Sequence, residues 1–270
     1  MKKQITIVYN PHKKNFKEAL RFLKQKLAKE YKIKIVASNK LNESVCLGEL
    51  VVCVGGDGTI LKVGNYAIIR KIPVLGINLG GLGYLAEFEP NEAVVQIRDY
   101  FNGKTVPQER IVLEVVYRNK IYYAINDCVV KHTSSKVCNI EIKIENEIIT
   151  QMIGDGIIIA TPTGSTAYSL ACGGSIIEPS AEVLLLTPIS PHTLSIRPIV
   201  IPSCKSIELR IPEYKSNKDL ILSLDGQRNF NLEIEDTIKI FSSEKKLLFL
   251  PNKKKTFFKI LTQKLSWGKR

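Results

Sequence analysis

Apolar residues in the first hundred positions follow two spacings in turn. Ile5–Tyr9 and Ile33–Ala37 read as short strands, and Leu50–Val54 is an unbroken apolar run. Such a run fits a central parallel strand covered on both faces. Between them, Phe16–Glu30 carries Phe16, Ala19, Leu20, Leu23 and Leu27 at helical spacing. Thr59–Arg70 predicts a second helix, Pro73–Ile77 a strand and Asn91–Tyr100 a third helix. Strands alternating with helices predict an α/β layer.

From about Arg110 the rhythm changes. Ile111–Tyr117, Ile121–Ile125, Ile140–Ile144, Ile157–Ala160, Ser206–Ile211, Leu220–Leu224 and Thr237–Phe241 are rich in β-branched residues, which predicts a β-rich second domain. Helical spacing returns from Thr256 to Trp267 through Phe257, Phe258, Leu261 and Leu265. The expected fold is an α/β N-terminal domain at residues 1–100 and a β-rich, sandwich-like C-terminal domain at 101–251. The final helix, in 252–270, returns to the first domain.

Composition narrows the classes. The chain of 270 residues is 44% apolar and 24% charged, as in an ordinary globular protein. No apolar run approaches the ~18 residues of a membrane span, and the short Ile5–Tyr9 stretch does not make a signal-peptide core. The expectation is a cytoplasmic protein without a membrane partner. Cys46, Cys53, Cys128, Cys138, Cys172 and Cys204 form no C-x-x-C pair, and only His12, His132 and His192 accompany them. That predicts reduced thiols and no protein-held metal. The net charge of +13 is concentrated in Lys245–Arg270, with nine basic residues and no acidic one. Such a tail attracts polyanions or is a solvated helix face.

Four segments carry candidate chemistry. Gly55-Gly56-Asp57-Gly58-Thr59 stands between an apolar strand and a helix. Its backbone N–H groups and the helix N-terminus would seat a phosphate. Asp57 would repel that phosphate unless it takes a proton from an attacking hydroxyl or holds a metal ion. Lys62 is a candidate cation in the helix that follows. Gly154-Asp155-Gly156 leads through Ile157–Ala160 into Thr161–Tyr168, where five of eight residues carry hydroxyls. Ser165 or Thr166 is a candidate cap for a helix running through Leu170 to Gly173-Gly174. Asn126-Asp127 follows a strand and can read a base edge and a ribose diol. Asp225-Gly226-Gln227 reads as a hairpin turn. His192 is a candidate for a cleft between domains, a hydrogen-bonded structural histidine being the plainer reading.

In this order the segments resemble the NAD kinase family. The likeness includes Gly76–Leu85, Pro191–Pro198 and Lys264–Gly268. It implies phosphorylation of the adenosine-ribose 2′-hydroxyl of NAD, with ATP or polyphosphate as donor and a divalent ion, usually magnesium, carried with ATP. It implies Asp57 as general base and Gly58 beside the pyrophosphate. Asn126 would read the adenine and Asp127 the ribose. Thr166, Ala167, Tyr168, Ser169, Leu170 and Ala171 would line the dinucleotide site, with Gln227 near it. Asp155 would reach NAD bound to a neighbouring subunit of a homodimer or homotetramer. Asp127 stands where many members have Glu, Ala171 where most have Ser, and Cys172 and Ser175 where Ala and Pro are common. The missing Ser hydroxyl costs roughly 0.5–1.5 kcal/mol of binding where water replaces it. The alternatives are a related kinase acting on a lipid or sugar hydroxyl, and a non-enzymatic nucleotide- or nucleic-acid-binding protein. Neither an RNA-binding signature nor an aromatic stacking platform is present, so no nucleic-acid partner is expected.

Overall fold

A computed structural model of the chain describes residues 2–42, 45, 47–80, 83–134, 136–215, 217 and 219–266. Cys46, Gly81, Leu82, Trp267 and Gly268 lie outside the described residues. The chain forms two compact units, Met1–Glu109 with Leu247–Arg270, and Arg110–Lys246. Residues 101–109 and 247–251 thus fall in the first unit.

The first unit opens with β1 (Gln4–Tyr9), α1 (Phe16–Leu27), β2 (Lys32–Ala37), β3 (Leu50–Gly55), α2 (Asp57–Arg70), β4 (Val74–Asn78), α3 (Pro90–Phe101) and β5 (Gln108–Arg110). The apolar run becomes β3, buried along its whole length. Its parallel neighbours are β1 and β4, and β2 lies parallel beyond β1. The chain therefore leaves β1 in one direction and returns on its other side. At such a switch point the carboxyl ends of the strands border a crevice. Gly55, the last residue of β3, stands there. Leu23 and Leu27 of α1 and Val94 and Ile97 of α3 pack with Ile7, Val52 and Ile77 of the sheet.

The second unit contains β6 (Leu113–Tyr117), β7 (Lys120–Ala124), β8 (Asp127–His132), β9 (Cys138–Ile144), β10 (Glu147–Gly154) and β11 (Gly156–Ala160). A 3-10 turn at Thr163–Thr166 and the short α4 (Tyr168–Ala171) follow. Next come β12 (Val183–Ile189), β13 (Ile199–Pro202), β14 (Ile207–Arg210), β15 (Leu220–Leu224), β16 (Arg228–Asn231) and β17 (Thr237–Ser242). They form two six-stranded sheets, in the orders β10-β9-β14-β17-β6-β7 and β13-β12-β11-β8-β15-β16. One core joins them: Val115, Ile140, Leu209 and Ile240 from the first sheet pack with Val130, Ile157, Leu186 and Leu222 from the second. The sandwich is antiparallel throughout its paired strands.

The chain then re-enters the first unit as β18 (Leu247–Phe249), parallel to β4, completing the order β2-β1-β3-β4-β18-β5. The last helix, α5 (Phe257–Leu265), belongs to the same unit. Its Phe257 ring lies 6.3 Å from that of Tyr84. The helix expected from the periodicity is thus present, with Ile260 and Leu261 buried.

Candidate active site

In the first unit, Asp57 opens α2 directly after the glycine turn. Its Oδ2 accepts the Tyr84 N–H at 2.9 Å, and its Oδ1 accepts the Leu85 and Ala86 N–H groups at 3.1 and 2.9 Å. A carboxylate offers about four lone-pair sites, so three amides fix its orientation and leave one site for an incoming proton. Gly58 is exposed beside it, and Lys62 is exposed one turn further along α2. Sequence reasoning passed over a second cation. The Lys13 side chain, in the β1–α1 loop, brings Cε to 4.0 Å from where a Cβ on Gly56 would stand. Nothing in the sequence spacing joins Lys13 to Gly56; the parallel pairing of β1 and β3 does.

In the second unit, Asn126, Asp127, Val129, Lys131, Ala167, Tyr168, Ser223, Asp225 and Gly226 line a cleft of about 260 Å³. The structure therefore brings Asn126 and Asp127 to Ala167 and Tyr168. Thr161 supports the arrangement: its backbone N–H donates to Asn126 O at 2.9 Å, and its hydroxyl donates to Ile125 O at 2.6 Å. Burial, then the neighbouring Asp225, pushes the Asp127 carboxyl up to about 7. Lys131 holds its ammonium 5.4 Å from the Tyr168 ring centre.

Asp225, read from the sequence only as part of a hairpin turn, has a buried role that the sequence did not indicate. The hairpin turn is present between β15 and β16, with Asp225 and Gly226 both at positive φ, 52° and 62°. The Asp225 side chain turns inward and accepts three consecutive backbone N–H groups, from Ile125 (2.8 Å), Asn126 (2.7 Å) and Asp127 (3.1 Å). Burial raises its carboxyl to about 6 against the pull of those three amides. Gln227 is exposed in the turn and is not among the cleft's lining residues.

The hydroxyl-rich stretch differs from expectation. No helix capped by Ser165 or Thr166 runs to Gly173; the 3-10 turn is followed by the four residues of α4, with no side-chain cap. The hydroxyls bond locally instead. Ser165 Oγ donates to Pro162 O and accepts the Ile177 N–H, and Thr166 Oγ1 donates to Thr163 O at 3.4 Å. Ser169 Oγ is buried against Thr187 Oγ1 at 2.8 Å, so its hydroxyl is committed to the fold. Leu170 is partly buried, and Ala171 and Asp155 are exposed. His192 is exposed, with its backbone N–H on Ile153 O.

A carboxylate seated in a glycine turn at a strand end serves hydroxyl activation beside phosphate. A cleft bearing an amide, a carboxylate and an aromatic ring serves nucleotide recognition. Together they define a nucleotide-handling phosphotransferase. Residues 8–105 match the ATP-NAD kinase N-terminal domain and residues 125–252 the ATP-NAD kinase C-terminal domain. An NAD kinase of Carboxydothermus hydrogenoformans is 36% identical over 242 residues, 87% of this chain and 86% of that one. An NAD kinase of Treponema denticola is 36% identical over 98% of this chain and 97% of its own. The crystal structure of yeast NADH kinase complexed with NADH superposes with a TM-score of 0.88 at 26% identity, over 100% of this chain and 89% of that one. An NAD kinase from Archaeoglobus fulgidus in complex with ATP gives 0.77 at 25% identity, over 96% and 99%. The chain belongs to the ATP-NAD kinase family, and its reaction is the phosphorylation of NAD.

Proposed function

We propose that the chain transfers the terminal phosphoryl group of ATP to the 2′-hydroxyl of the adenosine ribose of NAD, giving NADP. The observation that carries this reading is the Asp57 carboxylate, held by three amides with one acceptor site to spare at the glycine turn. Asp57 takes the hydroxyl proton as that oxygen attacks phosphorus and the donor's bridging oxygen leaves. Gly58 lies beside the pyrophosphate, and Lys13 and Lys62 draw the phosphates by charge. Asn126 reads the adenine edge and Asp127 the ribose diol, with Tyr168 against the base and Thr166, Ala167, Leu170 and Ala171 forming the wall, which buried Ser169 backs from within the fold. Gln227 stands at the rim. The reading requires the ribose held at Asn126 and Asp127 to come within hydrogen-bond reach of Asp57 during turnover.

Among the described residues no three His, Cys, Asp or Glu side chains converge as a metal cage. A magnesium ion carried by ATP would enter as part of the substrate, where it would neutralise phosphate charge. Polyphosphate is an alternative donor of the same chemistry. We place the enzyme in the cytoplasm, where free thiols such as buried Cys53, Cys128 and Cys138 stay reduced. We also propose a homodimer or homotetramer in which Asp155 reaches NAD on a neighbouring subunit. Exposed Ile148 and Ile149 on β10 and Ile199 and Val200 on β13 support such an assembly.

The test is NADP formation from NAD, magnesium and ATP by the purified protein. Asp57→Asn keeps most NAD affinity and loses about 10²- to 10⁴-fold in turnover. Surviving turnover with collapsed NAD binding would show that Asp57 is a binding residue and not the base.

A further inference from the structure

The loop that holds Asp57 is itself held by the end of the chain. Among the described residues the hydrogen bonds to the Asp57 carboxylate come from the backbone amides of Tyr84, Leu85 and Ala86, so its orientation follows the path of that backbone. A Cβ at the preceding Gly83 would stand 2.3 Å from Asp57 Oδ1, so loop and carboxylate are in close contact. The next residue, Glu87, is buried. Its Oε2 accepts the Asn252 N–H at 2.6 Å, and its backbone oxygen accepts Lys255 Nζ at 2.9 Å and Asn252 Nδ2 at 3.4 Å. The same two side chains reach Glu92 Oε2, at 3.1 Å from Lys255 Nζ and 3.3 Å from Asn252 Nδ2. Glu92 Oε2 also accepts the Glu89 N–H. On the other side of the loop, the Tyr84 ring meets Phe257 and lies 4.1 Å from Lys264 Nζ. Residues 252–264 therefore grip residues 84–87 from several directions, and all of these contacts lie within the first unit.

We infer that Glu87, Asn252 and Lys255 are positioning residues for phosphoryl transfer, clasping the loop whose amides aim Asp57. The inference rests on Asp57 being the base. A general base works only within about 2.6–3.2 Å of the proton it takes. A loop displaced by about 1 Å misses that range at a cost on the order of 100-fold. The clasp touches neither the glycine turn nor the nucleotide cleft, so its loss spares substrate affinity. It also places the control of this carboxylate in a segment more than 150 residues away in sequence, beyond the whole β sandwich.

Steady-state kinetics of full-length Lys255→Met and Asn252→Ala test this, with melting temperatures recorded alongside. Each variant should lose about 10- to 100-fold in kcat while KM for NAD and ATP moves less than about 3-fold. Lys255→Arg, which keeps the donors, should recover most of kcat. Ile5→Val, a core variant in β1, calibrates simple destabilisation and should leave kcat alone at a temperature where it is folded. Because the clasp acts through Asp57, Lys255→Met should cost nothing further in an Asp57→Asn background. Unchanged kcat in both clasp variants overturns the inference, as do losses that multiply in the double variant. If Lys255→Met is too unstable to assay, Lys255→Gln reads the same kcat effect. Full turnover by Asp57→Asn alone removes the base and the clasp together. Loss there, with active clasp variants, removes only the clasp.

Discussion

Asp57 and Asp225 are held by the same device, three consecutive backbone amides on one carboxylate, but for different ends. Asp57 lies at a glycine turn with an acceptor site to spare, whereas Asp225 is buried and ties down the segment that presents Asn126 and Asp127. The Asp127–Asp225 neighbourhood has a consequence for pH. An unfolded Asp titrates near about 3.9, and Asp127 in the folded chain titrates at about 7. Its folded pKa is raised, so its contribution to stability is full below about pH 4 and is lost as pH rises through about 7. Asp127→Asn has no proton to lose. Its melting temperature should therefore gain on the wild type as pH rises from about 5 to about 8. Parallel curves would show that Asp127 carries no such burial penalty. Asp225 adds to the same slope, with a folded value of about 6.

At the scale of elements, the 3-10 turn after β11 is shaped by close packing. A Cβ on Gly164 would meet Asn126 O at 2.0 Å and its carbonyl carbon at 2.5 Å. Gly164→Ala should cost about 1–3 kcal/mol by overpacking and raise KM for NAD by pushing Asn126 out of the cleft. A thermal melt and substrate titration check both; an unchanged KM would detach Asn126 from recognition. The strands at β3 and β15 were legible because their apolar runs are bounded by glycine or turn residues. β8, β10, β12, β13 and β16 were not read from the pattern. Glu147–Gly154 is exposed over much of its length, and Arg228–Asn231 alternates weakly at a sheet edge. Their strand character comes from pairing with β9 and β15. The helix expected after Thr166 failed because the hydroxyls that would cap it bond to carbonyls three residues back or to Ile177.

For the whole molecule, the decisive feature is that the first unit is built from both ends of the chain. Phe249 in β18 is fully buried and pairs opposite Val74 of β4. Phe249→Ala should cost about 3–5 kcal/mol, and the loss should fall on one unit. Hydrogen exchange should quicken in β1, β3 and β4 while β8, β11 and β15 keep their protection. Equal loosening of both units would show that they unfold as one. β18 escaped notice because three apolar residues are too short a run to separate strand from loop.

Periodicity and composition determined the two-part architecture, the last helix and the glycine turn, because burial imposes spacings of 3.6 and 2 on whichever residues line a core. The motif order was enough to indicate the chemistry. Tertiary structure decided which groups meet. It brought Lys13 to Gly56, turned Asp225 under Asn126 and Asp127, and set Asn252 and Lys255 against Glu87. Such contacts join residues tens to more than 150 positions apart, and no local propensity encodes them. They arise only when sheet order and register bring distant backbone together.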